Sequence, residues 1–208
     1  HRSFRESEKT QRPLRLLHEH GSLYLVHNGF LLYHAAIPLN QDGSFTEIDV
    51  CGERVKGKAL MDRIDQVIRM AYYGEGKEKE DALDYMLYLW QGEHSPLYNK
   101  DRMTTFERYF IADKQTHEEK KGAYFNLSDD ECTCNNILEE FGLNPATGRI
   151  INGHVPVRTI KGETPIRANG KRFVIDGGFS KPYQEKTGIA GYTLIYNSHG
   201  IQLVEHES

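Results

Sequence analysis

The sequence contains no apolar run of about 18 residues, so no membrane-spanning helix is expected, and it has no signal-peptide apolar segment. Cysteine is scarce: Cys51, Cys132 and Cys134 are odd in number and two are almost adjacent, which does not read as a secreted disulfide framework and points to a reducing cytoplasm. A basic excess is missing as well. Lys+Arg total 26 against 30 Asp+Glu, giving a net charge of −4 and a pI near 6.2. With no surplus to release phosphate counterions, neither nucleic acid nor an anionic membrane is expected as the main partner. The common catalytic signatures are also absent. There is no Ser or Cys nucleophile motif, no G-x-x-x-x-G-K loop, no G-x-G-x-x-G after a strand, and no D-x-H, G-D-x-x-D or G-N-H. No internal repeat or low-complexity tract is present. His1-Arg2-Ser3-Phe4-Arg5 reads like the middle of a longer sequence.

What is present suits a folded protein. A chain of 208 residues can bury roughly 70% of the surface its unfolded form exposes, in one large domain or two small ones. Residues 1–20 are strongly charged and read as a helix or a disordered arm. Ser22–Val26 and Phe30–Tyr33 flank Asn28-Gly29, the pair that a type I′ hairpin turn favours. The second of these strands is almost continuously apolar, which suits cover on both faces, and Pro38 closes the segment after it. Leu60, Met61, Ile64, Val67, Ile68 and Ala71 recur at helical spacing and predict a helix over 57–73. Gly74 to Glu80 reads as a flexible polar connection. A second apolar helix follows with Leu83, Met86, Leu87 and Trp90, ended by Gly92 and Pro96. Ser128-Asp129-Asp130-Glu131 has capping-box spacing, with Ser128 as N-cap of a helix running to about Phe141 and stopping at Gly142. The last third is β-rich, with strands at 149–152, 172–175, 192–196 and 201–204, the last two joined through Asn197-Ser198-His199-Gly200. Strands, then helices, then strands again give an α/β (α+β) class with a sheet drawn from both halves of the chain.

Two histidines occupy matching positions. His34 follows the apolar strand 30–33 and His154 follows Ile150-Ile151-Asn152-Gly153, each with a proline close behind. Loops at strand ends are where α/β sheets place ligand-binding groups, and neutral imidazole is the commonest protein ligand for transition metals. Against this stands the plainer reading of two partly buried histidines bonded to backbone. Asp176-Gly177-Gly178-Phe179-Ser180-Lys181-Pro182-Tyr183 reads as a turn that allows close approach of backbone, with Tyr183 able to reach back into a site. Arg102 lies on a loop and is either a phosphate fork or a surface charge. Cys132 and Cys134 do not share a helix face and read as structural.

Several strings together resemble one family: Ser7-Glu8-Lys9, LLYHAAIPLNQDGSF (31–45), LYLWQGEHSPLYNKDRMTTFERYFIADKQTHEEKKGAYFNL (87–127), INGHVPV (151–157) and KGETPIRANGKRFVIDGGFSKPYQEKTGIAGYTLIYNSHGIQLV (161–204). In order and over nearly the whole chain, they resemble the C-terminal third of bacterial class III fructose-1,6-bisphosphatases. The resemblance implies the calcineurin-like metallophosphoesterase superfamily, a β-sandwich flanked by helices around a two-metal centre, usually of manganese (Mn2+). On this likeness residues 1–208 are the C-terminal portion of a catalytic domain: a charged arm or helix (1–20), a hairpin and first metal-ligand loop (21–56), a helical insert (57–145) and a β-rich end (146–208). His34 matches the first late histidine ligand and His154 the second. Arg102 and Tyr183 match, more loosely, the phosphate-binding Arg and late Tyr of the related protein phosphatases. The D-x-H, G-D-x-x-D and G-N-H blocks, and with them the catalytic His, are not in these residues. The implied activity is hydrolysis of the 1-phosphate of fructose 1,6-bisphosphate, a gluconeogenic step, by the whole protein. The missing N-terminal portion is an implied partner, as is a homo-oligomer. The alternatives are a non-catalytic regulatory or assembly module that keeps the fold, and a phosphoesterase for another sugar phosphate.

Overall fold

A computed structural model describes residues 2–206. The charged start is helical, with α1 (Arg2–Glu6) followed by α2 (Glu8–His20). No side chain of α2 is buried. It is tied on instead by Arg69, which donates to the carbonyls of His18 and Gly21, and by the His18 ring stacked 4.0 Å from that of Tyr72. Asn28 and Gly29 both adopt positive φ (49° and 81°) and turn β1 (Tyr24–His27) into β2 (Phe30–Tyr33), in antiparallel register from Tyr24↔Tyr33 to His27↔Phe30. A second hairpin, β3 (Ile48–Val50) and β4 (Glu53–Val55), turns at Cys51-Gly52. Its three-residue strands are too short for an alternating pattern to show in the sequence.

Helix α3 (Gly57–Tyr73) buries Leu60, Met61, Ile64, Val67 and Ala71, the stripe its spacing predicts. The expected flexible connection at 74–80 is corrected: α4 (Gly76–Gln91) begins inside it. Lys77 to Glu80 are good helix formers whose charged side chains need no partner, so polarity there marks a solvated helix face rather than a loop. The apolar residues of α4 divide. Ala82 and Leu89 are buried, while Leu83, Leu87 and Trp90 stand exposed. Two short helices follow, α5 (Thr105–Phe110) and α6 (Tyr124–Leu127). At the start of α7 (Glu131–Glu140) the expected cap is also corrected. Asp130, not Ser128, caps the helix, accepting from the Thr133 N–H at 2.9 Å. Ser128 is instead the C-cap of α6, and its carbonyl accepts from the Arg172 Nε–H at 3.0 Å.

The remaining elements are β5 (Arg149–Asn152), β6 (Ile166–Arg167), β7 (Arg172–Val174), α8 (Lys181–Thr187), β8 (Gly191–Asn197) and β9 (Gly200–His206). One mixed sheet runs β1-β2-β5-β7-β6, with β2, β5 and β7 parallel and the edge strands β1 and β6 antiparallel to their neighbours. The interior strand β2 is covered on both faces, as its apolar run predicts. On one face Leu31, Tyr33 and Ile150 pack on Cys134, Ile137 and Leu138 of α7. On the other, Phe30, Ile151 and Phe173 meet Leu194 of β8, with the Tyr196 ring 5.0 Å from that of Phe30. The fold is therefore α/β, with helices over one face and the β8–β9 hairpin as a second β-layer over the other. Among the described residues no helix is long and apolar enough to cross a membrane.

Candidate active site at the strand ends

Strands β2 and β5 are parallel neighbours, so their carboxyl ends lie side by side. His34 is the first residue after β2. The Gly153 N–H donates to its carbonyl at 2.9 Å, carrying the ladder one step beyond the strands. His154 then takes a left-handed conformation (φ 70°), uncommon outside glycine, and the Val155 N–H folds back onto the Gly153 carbonyl at 2.9 Å. This tight turn brings the two rings together: His34 Nε2 and His154 Nδ1 are 3.0 Å apart, with ring centroids at 4.9 Å.

Both imidazoles are held below their usual range. For His34, burial lowers the pKa and outweighs the opposing charge of Asp176. For His154, burial, then the charge of His34 and of Lys100, bring it down to about 4. At neutral pH both rings are neutral, the form that ligates a metal. Their paired nitrogens fit one side of a transition-metal ion. The oxygen donors a hard ion such as manganese prefers are not supplied by this pair. Among the described residues no group of three or more His, Cys, Asp or Glu side chains is placed to hold a metal.

Beneath the histidines runs a buried polar network. The Tyr33 and Tyr124 hydroxyls are 2.7 Å apart. Asn152 Nδ2 donates to the Ala35 carbonyl at 3.1 Å and to the Tyr124 hydroxyl at 3.3 Å. Arg172 Nη1 donates to Asn152 Oδ1 at 3.1 Å, and its Nη2 donates to Asp129. One set of bonds thus links the end of β2, the loop after it, the end of β5 and the start of β7, which fixes the frame from which both histidines project. Sequence reasoning assigned none of these roles. The available signal was Asn152 itself, a polar residue at the end of an apolar strand that required partners once buried.

The histidine pair lines a cavity of about 550 Å³ with Leu32, Ile151, Asp176 and Tyr192. Arg102 and Tyr183 are not among the lining residues. Arg102 is exposed and pairs with its neighbour Asp101 at 3.3 Å. Tyr183 is exposed on α8, with the Lys186 ammonium 5.8 Å from its ring. From that segment it is Phe179 and Asp176 that reach the cavity. Cys132 is exposed and Cys134 buried, and all three cysteines are free.

The mixed α/β sheet thus brings two imidazoles together at the carboxyl ends of adjacent parallel strands, the place where this class of fold usually carries its ligand-binding groups. The chain belongs to the Firmicute fructose-1,6-bisphosphatase family, which it matches over residues 1–208. It is 57% identical over 209 residues to a class 3 fructose-1,6-bisphosphatase of Bacteroides fragilis, covering 100% of this chain and 32% of that protein. Class 3 fructose-1,6-bisphosphatases of Clostridium acetobutylicum (57% over 207 residues) and Alkaliphilus metalliredigens (56% over 209 residues) align with 99% of this chain and 31% of their own length. The chain thus spans about a third of the length of these relatives. No solved structure matches it.

Proposed function

We propose that these residues form the C-terminal portion of a cytoplasmic fructose-1,6-bisphosphatase, which releases the 1-phosphate of fructose 1,6-bisphosphate in a gluconeogenic step. The observation that carries this reading is the unbroken family match along residues 1–208, joined to the convergence of His34 and His154 at 3.0 Å. On this reading the two imidazoles hold one ion of a manganese pair, and the remaining ligands come from the part of the protein that precedes these residues. Bound there, the metal pair would make water nucleophilic near neutral pH and offset the charge of the attacked phosphate. The chain's own contribution is positional and electrostatic. Tyr33, Tyr124, Asn152 and Arg172 hold the strand ends in register, and Lys100 places positive charge near His154.

The test is His154→Ala and His34→Ala in the full-length protein, with phosphate release and bound manganese both measured. Each variant is expected to lose activity by about a hundredfold or more and to bind less metal, since a metal centre supplies several kcal/mol of transition-state stabilisation. Activity and metal content equal to those of the wild type would remove the pair from the reaction.

A further inference from the structure

On the far side of Gly153 from the histidine cavity lies a polar crevice of about 160 Å³. Lys121, Arg158, Arg167 and Arg172 line it, against only two carboxylates, Asp129 and Glu163. Four cations against two anions leave a local excess of positive charge in a chain whose net charge is −4. Both carboxylates are already engaged. Glu163 accepts from Arg158 Nε at 2.8 Å, and Asp129 accepts from Arg172 Nη2. Arg167 is left with the remainder: its Nη1 is 3.7 Å from Asp129 and its Nη2 is 3.6 Å from Glu163, too far for good hydrogen bonds. Its Nε is buried with no hydrogen-bond partner. Lys121 forms no ion pair among the described residues, its ammonium lying 5.5 Å from the Phe125 ring. Partial burial, then the like charges of Arg158 and Lys100, hold that ammonium below the usual lysine range.

Under-satisfied guanidinium and ammonium groups facing one small crevice are costly unless an anion completes them. A phosphate monoester fits the charge, and arginine forks match its oxygens. The position is equally specific. Asn152 and Gly153 line both the crevice and the histidine cavity, and Asn152 to His154 spans at most about 7 Å of backbone. We propose that this crevice is a phosphate subsite, with Lys121, Arg158 and Arg167 as its donors, and that it holds the second, unreacted phosphate of a sugar bisphosphate while the first lies at the histidines. This inference rests on the proposed function for the identity of the sugar, though not for the binding of phosphate.

The test uses the full-length protein and two readouts. The first is titration with inorganic phosphate, followed by calorimetry, for the wild type, Lys121→Ala and His154→Ala. A binding event weakened about tenfold or more in Lys121→Ala but retained in His154→Ala places phosphate in the crevice. An unchanged titration in Lys121→Ala overturns the subsite. The second is kcat/KM for fructose 1,6-bisphosphate beside that for fructose 1-phosphate, which lacks the second phosphate. Lys121→Ala is expected to lower the first about tenfold and leave the second within about twofold, with partial recovery in Lys121→Arg. Equal loss on both substrates overturns the proposal, because the lysine would then serve the reacting phosphate or the fold. Weaker phosphate binding with unchanged selectivity overturns it in favour of a separate phosphorylated effector. A wild-type protein that hydrolyses neither sugar phosphate refutes the proposed function, and the titration still decides whether the crevice binds phosphate.

Discussion

Asn152 sits at the one place where three strands, a tyrosine and an arginine must be reconciled. Its amide donates to the Ala35 carbonyl and the Tyr124 hydroxyl, and its oxygen accepts from Arg172, all out of contact with solvent. Truncation would leave the Arg172 Nη1 and the Ala35 carbonyl without that bond in a dry setting, where an unmet polar group costs about 1–3 kcal/mol. Asn152→Ala is accordingly expected to lower the unfolding free energy by about 1–3 kcal/mol, read in equilibrium urea unfolding as a lower midpoint at an unchanged slope. The histidines were legible because a strand end followed by a small residue is a pattern that one sequence can show. Their frame was not, because Tyr33, Tyr124, Asn152 and Arg172 belong to separate elements and meet only through the parallel pairing of β2, β5 and β7. Asp176 illustrates the same limit. Its sequence context predicts only a turn, and it reaches the cavity through a bridge to Gly191, where Gly177 packs so closely that an added Cβ would lie 2.6 Å from the Gly191 Cα.

Elements were legible in proportion to their length and period. Helix α3, with its long amphipathic stripe, and the Asn28-Gly29 hairpin follow directly from pattern and turn chemistry. The start of α4 and the β3–β4 hairpin do not, since charged residues serve helices and loops alike and three-residue strands carry no period. The loop beside His154 is held by a different device. Glu119 accepts from the Thr104 N–H and hydroxyl, each at 3.0 Å, and from Lys100 Nζ at 2.8 Å, fixing the strand-like Lys100↔Lys121 bridge. Burial pushes its carboxyl up, but these hydrogen bonds outweigh it and bring the pKa from 4.5 down to about 2. A carboxyl whose pKa is depressed on folding adds stability that is complete above the unfolded value and disappears as pH falls through the folded one. Glu119→Gln should therefore be less stable than the wild type at neutral pH, with the difference closing between about pH 4.5 and pH 2. Thermal unfolding across that range is the measurement, and a pH-independent difference would mean that the charge is not what holds the loop.

At the scale of the molecule, the outer surfaces are as informative as the core. The edge strand β1 leaves Leu25 and Val26 exposed along an unpaired edge. Helix α4 presents Leu83, Leu87 and Trp90, and α5 presents Phe106, Tyr109 and Phe110. Scattered single apolar residues are ordinary on a protein surface, but groups aligned on one helix face or one sheet edge are characteristic of surfaces that meet other structure. The relatives are about three times as long as this chain, at 32% coverage, and on the proposed function the further part of such a polypeptide would cover these surfaces. On the proposed function the histidine pair is incomplete in the same way: Asp176 is the one carboxylate that shares its cavity, and among the described residues no group of three His, Cys, Asp or Glu side chains is placed to hold a metal. Residues 1–208 produced alone are therefore expected to self-associate, with a sedimentation profile broader and heavier than a 23.9 kDa monomer gives. They are also expected to release no phosphate from fructose 1,6-bisphosphate with excess manganese, even at about 1 s⁻¹, the low end of ordinary enzyme rates. On the proposed function, co-expression with the part of a full-length polypeptide that these residues do not cover should restore both a discrete species and turnover. A monodisperse, active 208-residue protein would contradict both halves of the argument, showing that the exposed apolar surfaces need no cover and that the phosphatase site is complete within this chain.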